Sequence, residues 1–119
     1  MNITKEVSDA RFFSVLEDVD GKFWFSTVGS GIFHFDGSKF QNFTTEDGLA
    51  HNVVMEIYEA KDKSIWFSTE GGVSKYDGRT FKNFTTKDGL PNNEVYSITE
   101  DIQGRFWFGS KNELAFTMG

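Results

Sequence analysis

The stretch "FQNFTTEDGL" at residues 40–49 returns as "FKNFTTKDGL" at 81–90, changed at two of its ten positions and displaced by 41 residues. Neither a helix nor a single sheet calls for a repeat of that length. A supersecondary unit that recurs and packs against copies of itself does. The surrounding sequence keeps the same period. Trp24, Trp66 and Trp107 fall 42 and 41 residues apart, inside "FWF" at 23–25, "IWF" at 65–67 and "FWF" at 106–108. Ahead of them stand "SVLEDVDGKFW", "EIYEAKDKSIW" and "SITEDIQGRFW". Behind the first two come "STVGSGIFHFDG" and "STEGGVSKYDG", and the one-residue insertion in the first accounts for the longer interval.

Local signals favour strands throughout. Fourteen phenylalanines and a single proline accompany short apolar runs that are separated by Asp-Gly or Gly-Gly. Asp20-Gly21, Asp36-Gly37 and Asp77-Gly78 fit tight turns between antiparallel strands, where glycine supplies the positive φ that the turn requires. Each repeat therefore reads as four strands, a to d. In the second repeat they run from Val53 to Glu59, Ser64 to Thr69, Val73 to Tyr76 and Thr80 to Thr85. No segment shows helical periodicity over ten residues.

Four antiparallel strands in about 40 residues is the signature of a β-propeller blade, so the fold expected is all-β, with about three four-stranded blades. A parallel β-solenoid is the competitor, but its coils are shorter and lack two Asp-Gly hairpins each. Alternation along strand b then places Phe23 and Phe25 toward one neighbouring blade and Trp24 toward the other.

Composition sets the outer bounds. A chain of 119 residues and 13.5 kDa, 38% hydrophobic, is one domain able to bury a modest core. Its formal net charge of -6 disfavours nucleic acid and anionic membrane as partners, because binding to phosphate needs basic patches. With no cysteine, disulfides and thiolate metal sites are excluded. The sequence has no run of 18 apolar residues, and "MNITKEVSDAR" lacks the pattern of a signal peptide. These features make the cytoplasm the default location.

The segments "GLPNNEVYSITEDIQGRFWFGS" and "WFSTEGGVSKYDGRTFKNFTTKDGL" resemble the two-component regulator propeller repeat. The resemblance implies blades, a sensor role in signal transduction of the kind found in hybrid two-component systems, and an extracytoplasmic setting. It extends over the chain from about Phe12.

Aligned on strand b, the repeats run from about 11 to 45, 53 to 86 and 95 to 117, within one domain covering 1–119. The third stops after strand c, and "MNITKE" at 1–6 matches "QNFTTE" at 41–46, so residues 1–6 are expected to act as a permuted outer strand. Three blades cannot close a ring. Exposing the apolar faces of both terminal blades forfeits stabilisation comparable to the net stability of a whole domain. A head-to-tail homo-oligomer is the natural remedy, with a dimer of six blades favoured over a trimer of nine; a longer parent protein carrying further blades is the alternative.

Recognised catalytic patterns are few. "DVDG" at 18–21 resembles the start of a calcium loop but lacks the later ligands, so it reads as a hairpin turn; no metal and no cofactor are expected. Glu17, Glu59 and Glu100 recur at one site per blade and read as structural hydrogen-bond acceptors. The tryptophans read as inter-blade core and not as sugar-stacking platforms. Ligand candidates come from the d-to-a loops, with Arg11, His51, Asn52, Asn92, Asn93 and Glu94, and from the b-to-c loops, with Glu70, Lys111 and Asn112. That mixture suits a glycan, a peptide or another polar small molecule. The expected function is a non-enzymatic ligand-binding or protein-interaction propeller. The alternative is a small lyase or hydrolase acting on a polysaccharide, for which His51 and Glu94 would be the acid/base pair.

Overall fold

Asp-Gly turns and aromatic strands build three antiparallel sheets in chain order. The computed structural model describes residues 10–118, with the side chains of 116–118 left aside. The first blade comprises β1 (Phe12–Glu17), β2 (Phe23–Thr27), β3 (Ile32–Phe35) and β4 (Phe40–Phe43). The second comprises β5 (Val54–Glu59), β6 (Ile65–Thr69), β7 (Gly72–Tyr76) and β8 (Phe81–Phe84). The third holds β9 (Ser97–Glu100), β10 (Arg105–Gly109) and β11 (Leu114–Met118). Within each sheet the strands lie in sequence order, joined by hairpins. The third sheet has three strands among the described residues. Its expected fourth, residues 1–6, lies outside them.

Registers coincide from blade to blade. Trp24 pairs with His34 and Trp66 with Lys75, while His34 pairs with Gln41 and Lys75 with Lys82. Strand b alternates as its sequence requires. Trp24 crosses to Phe67 and Tyr76 of the second blade, and Trp66 crosses to Phe106 and Phe108 of the third. Two buried clusters result, one at each junction. In β6 all five residues are buried, because this strand has a blade on either side.

The repeated decamer closes each blade and leads to the next. Phe43 and Leu49 are buried in the first junction, Leu90 in the second. Between them sit two single 3-10 turns, Thr45–Asp47 and Thr86–Asp88, too short to leave any periodicity in the sequence. Thr44 and Thr85 cap these turns, and the carboxylates of Asp47 and Asp88 accept the Thr44 and Thr85 N–H in return. This reciprocal arrangement is a capping box. Gly48 and Gly89 then reverse the chain in the left-handed region, at φ 104° and 106°. The decamer's capping threonine, aspartate, glycine and leucine thus each have a mechanical task.

Candidate functional site

The antiparallel topology gives the molecule two loop-bearing ends, and the sequence-derived candidates all lie at one of them. Four hold backbone in place. Asn52 Oδ1 accepts the Thr45 N–H at 3.0 Å, and Asn93 Oδ1 accepts the Thr86 N–H at 2.8 Å. His51 Nδ1 accepts the Val53 N–H at 3.0 Å, the same two-residue turn that Asn92 makes with Glu94 at 2.9 Å. These residues do not break the repeat, as the sequence reading supposed. They recur 41 residues apart with the same partners, His51 imitating an asparagine.

Arg11, Glu70, Glu94, Lys111 and Asn112 remain exposed. Of these, Glu70 and Glu94 gather around Tyr96. The Tyr96 hydroxyl donates to Glu94 at 3.2 Å. That bond, followed by burial and the charges of Glu94 and Glu70, raises the phenol above its ordinary value. No hydrogen bond or ion pair joins His51 to Glu94 among the described residues.

A cleft of about 330 Å³ opens at the opposite end, between the first and second blades. None of the nine loop candidates lines it. Its floor is the Trp24 ring, covered by His34 at 4.2 Å between centroids. Lys22, Gln41 and Lys63 bring donors to its walls, and Asp20 brings an acceptor. Asp18, Glu59 and Asp77 also border it but serve the framework, Asp77 by accepting the Arg79 and Thr80 N–H groups at 2.8 and 2.9 Å. Asp18 accepts the Asp20 and Lys22 N–H groups and the Trp24 indole N–H, each at 3.0 Å, which makes "DVDG" a hairpin turn with an aromatic anchor. Glu59 accepts the Val19 N–H at 3.0 Å across the junction, the structural role expected of a repeated glutamate.

The cleft lies where the repeats differ. Lys75 and Lys82 hold the register positions of His34 and Gln41 in the second blade, and they lie over the Trp66 and Phe84 rings at 5.4 and 5.3 Å. Lys63 departs in its backbone as well. At φ 73° it is the one non-glycine residue in the left-handed region among those described, in the turn position that Gly21 and Gly104 occupy in the other blades. Burial, opposed by the Asp18 charge and aided by that of Lys22, holds the His34 imidazole below its ordinary 6.5. Sequence reasoning missed this set because it spans two blades, although the departures at 34, 41 and 63 were visible once the repeats were aligned.

Comparison with known proteins agrees with the fold. Residues 48–71 and 89–112 match the model of the two component regulator propeller family. Each match runs from the left-handed glycine of the linker through strands a and b. The chain is similar to the extracellular domain of a protein assigned to a hybrid two component system of B. thetaiotaomicron, at 24% identity and a TM-score of 0.79 over 88% of this chain and 15% of that one. An extracellular domain assigned to a one component system of the same organism gives 24% and 0.79 over 95% and 17%. A catalytically inactive virginiamycin B lyase from Staphylococcus aureus, with quinupristin, gives 18% and 0.72 over 98% and 43%. At these identities the likeness is one of fold. The chain spans only a small part of the two extracellular domains and less than half of the lyase. No curated protein sequence matches it.

Proposed function

We propose that this chain is part of a non-enzymatic β-propeller recognition module, holding a polar ligand such as an oligosaccharide or short peptide in the cleft between its first and second blades. The observation that carries the reading is Lys63. A lysine kept in the left-handed region costs on the order of 1 kcal/mol relative to glycine, and glycine stands at this turn in the other two blades. A framework has no use for that cost; a side chain placed beside Lys22, His34 and Gln41 does. The cleft's volume and its alternation of donors and acceptors over an aromatic floor fit a ligand with several hydroxyl or amide groups. The similarity to extracellular domains of signalling systems supports recognition as the output.

The test is titration calorimetry against a panel of neutral and acidic oligosaccharides and short peptides. Gln41→Ala and Lys63→Gly are expected to weaken the binding about tenfold or more, while Glu70→Ala and Lys111→Ala leave it unchanged. The reverse pattern would return the site to the other end of the molecule. The lyase among the structural neighbours makes turnover worth measuring in the same samples. Conversion of any bound compound, read by mass spectrometry, would overturn the non-enzymatic reading.

A further inference from the structure

The cleft has a neighbour. Glu59 and Lys63 border it and also border a second pocket of about 270 Å³, whose remaining lining is Val19, Ala60 and Lys61. The two spaces share those side chains and follow the a-to-b turns across the first junction. One is polar, over the Trp24 ring; the other is walled by Ala60 and by Val19, which is 64% exposed.

The second blade shows what the same frame holds elsewhere. Lys75 and Lys82, in register with His34 and Gln41, carry their ammonium groups over Trp66 and Phe84 at 5.4 and 5.3 Å. Lys61, at the turn position of Val19, sends its ammonium across the second junction to the Asp101 carbonyl at 3.4 Å. Val19, His34 and Gln41 bring no cation to these three positions at the first junction, since the His34 imidazole is held below 6.5 and is neutral at pH 7. The cleft there is acidic instead. Asp18, Asp20, Glu59 and Asp77 border it against the ammonium groups of Lys22 and Lys63, a net charge of -2. Glu59 commits Oε2 to the Val19 N–H, and Asp77 commits Oδ1 to the Arg79 and Thr80 N–H groups. Their second oxygens, Oε1 and Oδ2, make no hydrogen bond among the described residues.

We infer that the ligand of this groove is a short peptide with a basic side chain in the cleft and an apolar one in the pocket beside Val19. The inference rests on the cleft being the binding site and narrows the ligand within it. A basic side chain supplies at the first junction the ammonium that Lys75 and Lys82 supply in the second blade, and it meets the second oxygens of Glu59 and Asp77. An oligosaccharide has no alkyl chain for the wall made by Val19 and Ala60, whereas a peptide carries both kinds of side chain on one backbone. Lys63 borders both spaces, so it stands beside the backbone that links them, where its ammonium donates to a peptide carbonyl.

Fluorescence anisotropy with labelled, terminally capped glycine–serine peptides that carry a lysine and a leucine at varied spacing tests this. Binding is expected for at least one spacing, and replacing its lysine by glutamate or its leucine by serine should weaken it about tenfold or more. Val19→Lys and the double variant His34→Lys with Gln41→Lys copy what the second blade carries at the same register, so the frame accommodates them, as an unchanged circular dichroism spectrum would verify. Each should lower the affinity for the basic peptide about tenfold or more, the first by occupying the pocket and the second by placing ammonium groups in the cleft. Affinity unchanged in both overturns the inference. Binding of acidic peptides or neutral oligosaccharides in place of the basic peptide also overturns it; where Gln41→Ala abolishes that binding, the cleft remains the site and only the ligand class falls. Basic-peptide binding that survives both Gln41→Ala and Lys63→Gly overturns the cleft itself, and no binding by any probe overturns both.

Discussion

Each tryptophan satisfies its polar edge locally, and the rings of Trp24 and Trp66 pack on the next blade. Trp24 and Trp107 donate to Asp18 and Asp101 of their own a-to-b turns, at 3.0 and 2.9 Å. Trp66 reaches its turn through Ser64 at 3.0 Å, and the Ser64 hydroxyl donates on to Asp62 at 2.5 Å. In the first and third blades the aspartate also accepts two turn amides, so one residue shapes the hairpin and orients the ring. Trp66→Ala should therefore cost about 3–5 kcal/mol, read by urea denaturation, since it empties the second junction. Trp66→Phe keeps most of the ring and should cost much less. Lys63→Gly should go the other way and raise stability by up to about 1 kcal/mol, because it removes the left-handed strain. His34 gives a pH signature. Its folded-state value lies below 6.5, so as pH falls past 6.5 the unfolded chain takes up a proton that the folded one still refuses. The stability that His34 contributes is complete above that point and is lost progressively below it. A melting-temperature profile that declines on acidification less steeply for His34→Gln than for wild type is the expected result.

At the level of the element, each blade is closed by the same linker, and the linker's strength is set by caps and glycines. Asp88→Ala removes half of the second capping box and should cost about 1 kcal/mol. The glycines separate by what surrounds them. An added Cβ at Gly89 meets nothing within 4 Å, so Gly89→Ala should cost only the backbone term, about 1 kcal/mol. At Gly72 the same atom would lie 2.3 Å from the Phe84 carbonyl oxygen, and Gly72→Ala should cost more than twice as much. Equal losses for the two variants would show that the b-to-c turn yields easily. The strands themselves were legible in the sequence because aromatic runs and Asp-Gly turns are local signals. Val53 to Glu59, Ser64 to Thr69 and Val73 to Tyr76 come within a residue of β5, β6 and β7. The capping boxes and the amide clamps of Asn52 and Asn93 were written in the repeated decamer and its sequel, but their identical sequence reads as framework only once their partners are seen. The cleft was hidden for another reason: His34 and Gln41 line it together with Lys63 and Asp77 of a different blade. No local pattern brings those pairs together.

For the molecule as a whole, stability is distributed by neighbours, since each blade's core is completed by the blade beside it. The second blade is covered on both faces, and its strand b is buried throughout. In the first and third blades strand b alternates between buried and half-buried residues, with Phe23 and Phe25 half-buried in the first and Phe106 and Phe108 buried in the third. Amide exchange should follow that gradient in dilute solution, slowest in β6 and faster in β2 and β10, because opening a terminal blade disrupts one junction and opening the middle blade disrupts two. Exchange followed by mass spectrometry reads this directly, and equal rates in β2, β6 and β10 would show that the three blades open as one unit.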